Sequence, residues 1–312
     1  MIIIHNKENC CGCSACAERC PKQCIIMEED EEGFLYPQID VSRCIKCGLC
    51  EKVCPVIHQN RPHKPLRVYA AKNPVEQIRL ESSSGGIFSM LAERIIQTGG
   101  VVFGARFSEQ WDVIHDYTET IEGITAFRGS KYSQSVVGDS YGKVESFLKQ
   151  GRQVLFTGTP CQIAGLHGFL RKSYDNLLAV DVVCHGVPSP LIWRKYLKEF
   201  TGGCPIKNIY MRDKSTQWPT YSFRITDGKQ NIIYERAADN IYLKGFLANL
   251  YLRPACYACA FRSGKSGSDL TIADYWGIAD HHPEFADPKG VGLVLINTAK
   301  GLTVYRQIGA LS

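Results

Sequence analysis

No apolar run in the 312-residue chain approaches the roughly 20 residues that a membrane span needs. The start, Met1–Ile4, is apolar, but His5–Asn9 is already polar, so no secretory leader is read there. Low-complexity segments are missing. Neither charge sign dominates: the net charge is +5, with Lys and Arg spread along the chain. Nucleic acid is therefore not an expected partner. There is no Walker A loop and no G-x-G-x-x-G fingerprint. These absences leave a cytoplasmic protein as the expectation.

Cysteine is abundant, with 15 residues. Clustered thiols in a chain without a secretory leader point to metal rather than to disulfides. Two runs repeat, Cys10-x-x-Cys13-x-x-Cys16-x-x-x-Cys20-Pro21 and Cys44-x-x-Cys47-x-x-Cys50-x-x-x-Cys54-Pro55, each Cys lying 34 residues from its counterpart. This is the bacterial dicluster ferredoxin spacing. Three Cys at three-residue intervals wrap three corners of a 4Fe–4S cube, and the Cys before Pro serves the other cube. The assignment is Cys10, Cys13, Cys16 and Cys54 to one cluster, and Cys44, Cys47, Cys50 and Cys20 to the other. Gly12 and Gly48 are placed where each loop is tightest. Zinc is a minority alternative, because zinc ribbons use separated Cys pairs. Cys11 and Cys24 fall outside the register and read as spare thiols.

The length suggests about two domains, and 45% hydrophobic residues suffice for a core. Residues 1–58 form the cysteine module, Val56–Leu66 reads as a linker, and 67–312 form a larger domain. There, strands are expected at Val68–Lys72, Val101–Phe107, Val154–Thr157 and Leu177–Val183. Helical patterns cover Ile87–Gln97, Val144–Leu148, Ile163–Leu170 and Leu191–Phe200. Such alternation predicts an α/β (α+β) domain. Asp227-Gly228 suggests a hairpin between Ser222–Thr226 and Asn231–Tyr234. Leu270–Ala273 and Val291–Asn297 read as further strands.

Four motifs in the large domain carry chemistry. Ser82-Ser83-Ser84-Gly85-Gly86 precedes a helix and could offer N–H groups to a phosphate, although an ordinary helix cap has the same look. Arg128-Gly129-Ser130-Lys131-Tyr132 could present a cation and an aromatic ring, or be a solvated loop. Thr157-Gly158-Thr159-Pro160-Cys161 lies at a strand end, where ligands bind in open α/β sheets. Cys184-His185-Gly186 is placed likewise, and a catalytic reading of it ranks below metal ligation. Cys256-x-x-Cys259 with Cys161 and Cys184 would supply four ligands. Zinc, a redox disulfide and a third cluster all stay open on spacing alone, and Cys204 is unassigned.

The ordered set Ser84-Gly85-Gly86-Ile87, Gly129-Ser130-Lys131-Tyr132, Pro160-Cys161-Gln162, the Cys184 strand end, Cys256-x-x-Cys259 and Ala273-Asp274 resembles the family of the coenzyme F-420 hydrogenase and dehydrogenase beta subunit, here preceded by a dicluster ferredoxin. The likeness covers most of Arg67–Thr298. It implies FAD near Ser84, Gly85, Gly86, Lys131, Tyr132, Thr159 and Asp274. It also implies a third 4Fe–4S cluster on Cys161, Cys184, Cys256 and Cys259. Chains of this family usually run further at the C-terminus, so either a fragment or a shortened last subdomain is expected.

The leading expectation is an iron–sulfur flavin-dependent oxidoreductase. Electrons would come from a ferredoxin or other redox partner protein and go to a small organic or deazaflavin substrate, with flow from clusters to flavin favoured over the reverse. A non-catalytic electron-transfer subunit of a larger complex is the alternative, and a zinc-stabilised binding module is third. An oligomer is compatible with the sequence.

Overall fold

The computed structural model describes residues 1–312. In the cysteine module, α1 (Ala15–Glu18), β1 (Ile25–Glu29), β2 (Leu35–Ile39) and α2 (Leu49–Lys52) follow one another. β1 and β2 pair antiparallel, with Ile25 opposite Ile39. The loops before α1 and α2 repeat one backbone shape. Gly12 and Lys46 are left-handed (φ 71° and 53°), and so are the helix-capping Ser14 and Gly48 (φ 64° and 71°). Each loop therefore turns left-handed twice, once at a glycine and once at a residue that bears a small steric cost.

The large domain opens with β3 (Arg67–Ala71), α3 (Glu76–Glu81), α4 (Ile87–Gln97), β4 (Val101–Phe107) and β5 (Val113–Thr118). It continues with α5 (Ser140–Lys149), β6 (Val154–Gly158), α6 (Pro160–Leu170), β7 (Leu177–Val182) and α7 (Pro190–Phe200). A meander of β8 (Asn208–Asp213), β9 (Ser222–Thr226) and β10 (Asn231–Arg236) leads to α8 (Ile241–Leu247) and α9 (Pro254–Tyr257). β11 (Leu270–Asp274), α10 (Ile278–His281), β12 (Gly292–Ile296) and α11 (Ala299–Gln307) complete it.

Seven strands form one mixed sheet in the order β3-β12-β11-β7-β6-β4-β5. β11, β7, β6 and β4 run parallel, flanked by antiparallel neighbours. The period-2 alternation of strands sorts side chains between two cores. Val101, Phe103, Val154, Phe156, Leu177 and Ala179 face α5 and α6. Val102, Leu155, Leu178 and Val180 face α4 and α11. The expected α/β class is found, with antiparallel edges that the helix–strand alternation did not reveal. β5, α8 and α11 were not expected either. After the last strand α11 follows, and Leu311 pairs with Lys72 beside β3.

The cysteine module does not have a core of its own. Ile2, Ala15, Cys16 and Val53 belong to the same apolar cluster as Phe103, Tyr141, Ile163 and Phe169. The packing requires glycine on α6. A Cβ on Gly165 would sit 2.7 Å from Cys13 Cβ, and one on Gly168 would collide with the Val53 carbonyl oxygen. Arg19 pairs with Glu145 on α5 at 3.2 Å, and the Gly142 N–H donates to Glu18 at 2.9 Å. The segment between module and domain is pinned as well: His63 N–H donates to Ser263 O, and Asn60 to Lys265 O.

Candidate redox centre

The first cysteine module cavity, of about 330 Å³, is lined by Cys10, Cys13, Cys16 and Cys54, with Cys11, Ile2, Ile4 and Met27 around them. The second, of about 380 Å³, is lined by Cys20, Cys44, Cys47 and Cys50, with Cys24, Ile25, Ile39 and Leu49. Each cavity thus combines three thiols of one run with the pre-proline thiol of the other. No three His, Cys, Asp or Glu side chains close on a point that a single ion would fill; the thiols ring wider voids. Burial, and then the neighbouring Cys10 and Cys54, push the Cys16 thiol up to about 12. Crowded, desolvated thiols are a state that metal binding relieves by supplying positive charge. All 15 cysteines are free thiols.

The two thiols outside the register lie against these sets. Cys24 Sγ is 3.4 Å from Cys20 Sγ. Cys11 is buried in the lining of the first cavity and lies beside Cys161, the first thiol of the large-domain set, whose pKa its proximity and burial push well up. Cys204 stands alone and exposed.

The large-domain thiols gather at the carboxyl ends of the parallel strands. Cys161 follows β6 in the first turn of α6, and Cys184 follows β7. Cys256 is on α9, where the Val187 N–H points to its sulfur at 3.5 Å. Cys184 lies in the electrostatic field of Cys161, Cys256 and Cys259. Burial, followed by Cys161 and Cys259, pushes Cys256 up to about 11. His185 instead bonds Asn249 Oδ1 through Nε2 at 2.7 Å. Thr159 closes a capping box with Gln162 and lies 3.1 Å from Cys161 Sγ. It belongs with this set, and no hydrogen bond links it to the other residues proposed to bind flavin.

Those other residues converge at a second place on the same sheet edge. Ser83 and Ser130 hydroxyls bond at 2.7 Å, tying the serine–glycine turn to the Lys131 loop. Lys214 Nζ donates to the Ser84 carbonyl at 3.0 Å. Gly85, however, meets the sheet: a Cβ there would collide with Ala71 O and lie 2.5 Å from Gly292 N. Its missing side chain serves the packing of the turn on β3 and β12. Gly86 caps α4 with φ 78°. Lys131 turns inward onto the carbonyls of Arg128 and Gly129, and desolvation pushes it down to about 7. The Tyr132 carbonyl accepts from the Tyr242 hydroxyl at 2.5 Å.

Asp274 anchors the centre of this place. Its Oδ2 accepts from Arg212 Nη1 at 2.7 Å and its Oδ1 from Trp218 Nε1 at 3.2 Å. Trp218 stacks on Trp276 at 4.8 Å and 3°. Arg212 lies over Tyr221 and Trp276, at 4.6 and 5.4 Å. Arg212 Nε and Nη2 are buried without a hydrogen-bond partner. Arg212, Trp218, Tyr221 and Trp276 were not legible as site residues. They come from β8, the turn before β9 and the end of β11, and only the fold joins them.

Residues 151–310, half of the chain, match the family described as the C terminus of the coenzyme F420 hydrogenase/dehydrogenase beta subunit. The chain belongs to this family. Two 4Fe–4S dicluster domain families match residues 9–57 and 40–97. The F subunit of the F(420)H(2) dehydrogenase of Methanosarcina mazei is 24% identical over 186 residues, 56% of this chain and 53% of that protein. NADH-quinone oxidoreductase subunit I 2 of Geobacter metallireducens is 42% identical over 59 residues, 17% of this chain and 45% of that one. The chain thus spans about half the length of each of these two relatives. In the F420-reducing [NiFe] hydrogenase complex from Methanosarcina barkeri, one chain shares the fold, with TM-score 0.53, 18% identity and 79% of both chains covered. The oxidoreductase-related family and the ferredoxin-type N-terminus expected from the motifs are therefore found. No helix is long and apolar enough to cross a membrane.

Proposed function

We propose that this family member is an iron–sulfur flavoprotein oxidoreductase, passing electrons between a ferredoxin-type donor and an organic or deazaflavin substrate. One observation carries the reading: the thiol sets adjoin one another, and the large-domain set and the aromatic–cationic cleft lie at the same end of one sheet. Cys47 is exposed, Cys50 of its set lies in the field of Cys16, Cys11 of the first cavity lies beside Cys161, and Cys184 lies at the level of Asp274. The last relation follows from register, because Val182 pairs with Ile272 two residues before each.

The residues fit the groups they would hold. Each cysteine cavity is lined by the four thiols that a four-iron cube would need, and Cys161, Cys184, Cys256 and Cys259 would hold a third. The two unpartnered N–H groups of Arg212 call for an acceptor, such as a flavin carbonyl or phosphate oxygen, and the paired indoles offer a flat face for a ring. Bound clusters would supply one-electron transfer and bound FAD would couple it to two-electron chemistry. Asp274 orients Arg212 and Trp218, and the half-exposed Trp276 bounds the side open to substrate.

The family relatives that are subunits favour a second reading, in which this chain serves within a larger complex.

Anaerobically purified protein should contain roughly 12 iron atoms and release flavin on heating. A reproducible count of about eight removes the third cluster, and a flavin-free supernatant from reconstituted protein removes FAD. Stopped-flow mixing with reduced ferredoxin, and separately with reduced coenzyme F-420, then sets the direction. Bleaching by ferredoxin supports flow from the module inward. Bleaching by the deazaflavin alone, intact in Cys47→Ser, reverses it.

A further inference from the structure

Arg253 is the largest charged side chain in the fully buried interior, at 0% exposure. Its backbone belongs to the large-domain thiol set: its N–H donates to Val187 O, and its carbonyl accepts from the Cys256 N–H at 2.8 Å. Its side chain crosses into the cysteine module. Nε donates to the Cys10 carbonyl at 2.7 Å, and Nη2 to Leu35 O at 3.0 Å and towards Cys10 Sγ at 3.6 Å. Nη1 donates to Gln134 Oε1 at 3.0 Å. The guanidinium lies over the rings of Tyr36 at 4.2 Å and Phe34 at 5.5 Å. A Cβ on Gly12 would meet its Nη1 at 2.7 Å, so the first cysteine loop needs a glycine to admit it.

All these hydrogen bonds go to neutral oxygens or to sulfur, and none to a carboxylate. Arg stays protonated in proteins, and a permanent cation buried without a counter-charge is strongly unfavourable. The thiolates on either side, Cys10 on one and Cys256 on the other, are the available counter-charge.

We propose that Arg253 is a positioning residue that sets the reduction potential of the cluster held by Cys10, Cys13, Cys16 and Cys54, raising it above that of the cluster held by Cys20, Cys44, Cys47 and Cys50. The inference rests on the cluster reading above. Reduction adds one negative charge to the four-thiolate group, and a buried cation donating towards a ligand sulfur stabilises that charge more than it stabilises the oxidised form. Low local dielectric strengthens the effect, because water cannot screen it. The cations that line the outer set differ in kind: the Met1 ammonium is paired with Glu51, Lys22 and Lys46 are exposed, and Cys47 is open to solvent, so water and a carboxylate screen what they contribute. The asymmetry favours an electron on the inner set, next to the large domain.

The test is an EPR-monitored redox titration of the full chain with iron analysed in parallel. In Arg253→Met the midpoint of the cluster held by Cys10 should fall by at least a tenfold change in the reduced-to-oxidised ratio, about 59 mV for one electron, with a smaller fall at the large-domain set beside Cys256. The outer cluster should keep its wild-type midpoint, and Arg253→Lys should recover part of the shift. Gln134→Glu sets a carboxylate beside the guanidinium while leaving Arg253 in place, and should lower the same midpoint. It decides alone if Arg253→Met loses its clusters. Variants with full iron and wild-type midpoints overturn the proposal and leave Arg253 a structural strut. A wild-type protein lacking iron would instead remove the cluster reading itself.

Discussion

At the scale of single residues, the cleft around Asp274 depends on two kinds of contact that can be separated. Trp276 is 53% exposed and stacks on Trp218. Trp276→Ala should leave folding nearly unchanged and weaken FAD binding about fivefold, the loss of one aromatic contact of about 1 kcal/mol. Arg212→Lys keeps charge but not the planar fork that bonds Asp274 while presenting two further N–H groups. It should weaken FAD by about 10- to 100-fold. Titration of apoprotein with FAD, followed by fluorescence quenching, measures both; wild-type affinity in both variants would place the flavin elsewhere. The cysteines that line the two module cavities were legible one by one because their spacing is local. Arg212 and Trp218 were not, since nothing in the neighbouring sequence says that two loops will meet over Asp274.

At the scale of elements, α6 does two jobs. Its first turn presents Cys161, and its Gly165 and Gly168 admit the cysteine module. Gly165→Ala and Gly168→Ala should each destabilise the packing by about 1–3 kcal/mol through overpacking. Proteolysis within residues 57–66 should rise, whereas Gly142→Ala, whose Cβ would meet Glu18 Oε2 at an ordinary 3.7 Å, should change little. Unaltered cleavage would mean that the module shifts to accommodate the methyl. Strand β5 carries a pH effect. His115 is buried between the Thr157 carbonyl, 3.0 Å from Nε2, and the Ser135 hydroxyl, 2.9 Å from Nδ1. Burial holds it neutral, down to about 4. The unfolded chain therefore binds the extra proton between about pH 6.5 and 4, so stability falls as pH drops through that window. Between pH 6.5 and 5 the loss is about 2 kcal/mol. Urea unfolding at pH 7.5 and 5 should show a smaller difference in His115→Gln than in wild type; equal differences would exclude His115 as the source. Most of the elements that flank the thiols were readable from apolar periodicity. β5 was not, because as an edge strand its Val113–Thr118 run is half polar and lacks the apolar density of the central strands.

At the scale of the whole molecule, the outer set of the module reaches the surface through Cys47 and the large-domain set through Cys184. Cys47→Ser should abolish rapid reduction by a one-electron protein donor, while reduction from the organic side persists if the large-domain set and cleft are intact. Stopped-flow absorbance checks this, and equal loss of both reactions would mean that the outer set is not the terminus. The sequence by itself determined the ligand chemistry of the module, the alternation that builds the parallel sheet, and the family motifs in their order, since each is a pattern of neighbours along the chain. Tertiary structure alone decided that the module shares a core with the sheet, that Gly85 packs on β3 and β12, and that Arg253 reaches from one thiol set to another. Those facts depend on which distant segments close on each other, and 243 residues separate Arg253 from the Cys10 sulfur it approaches.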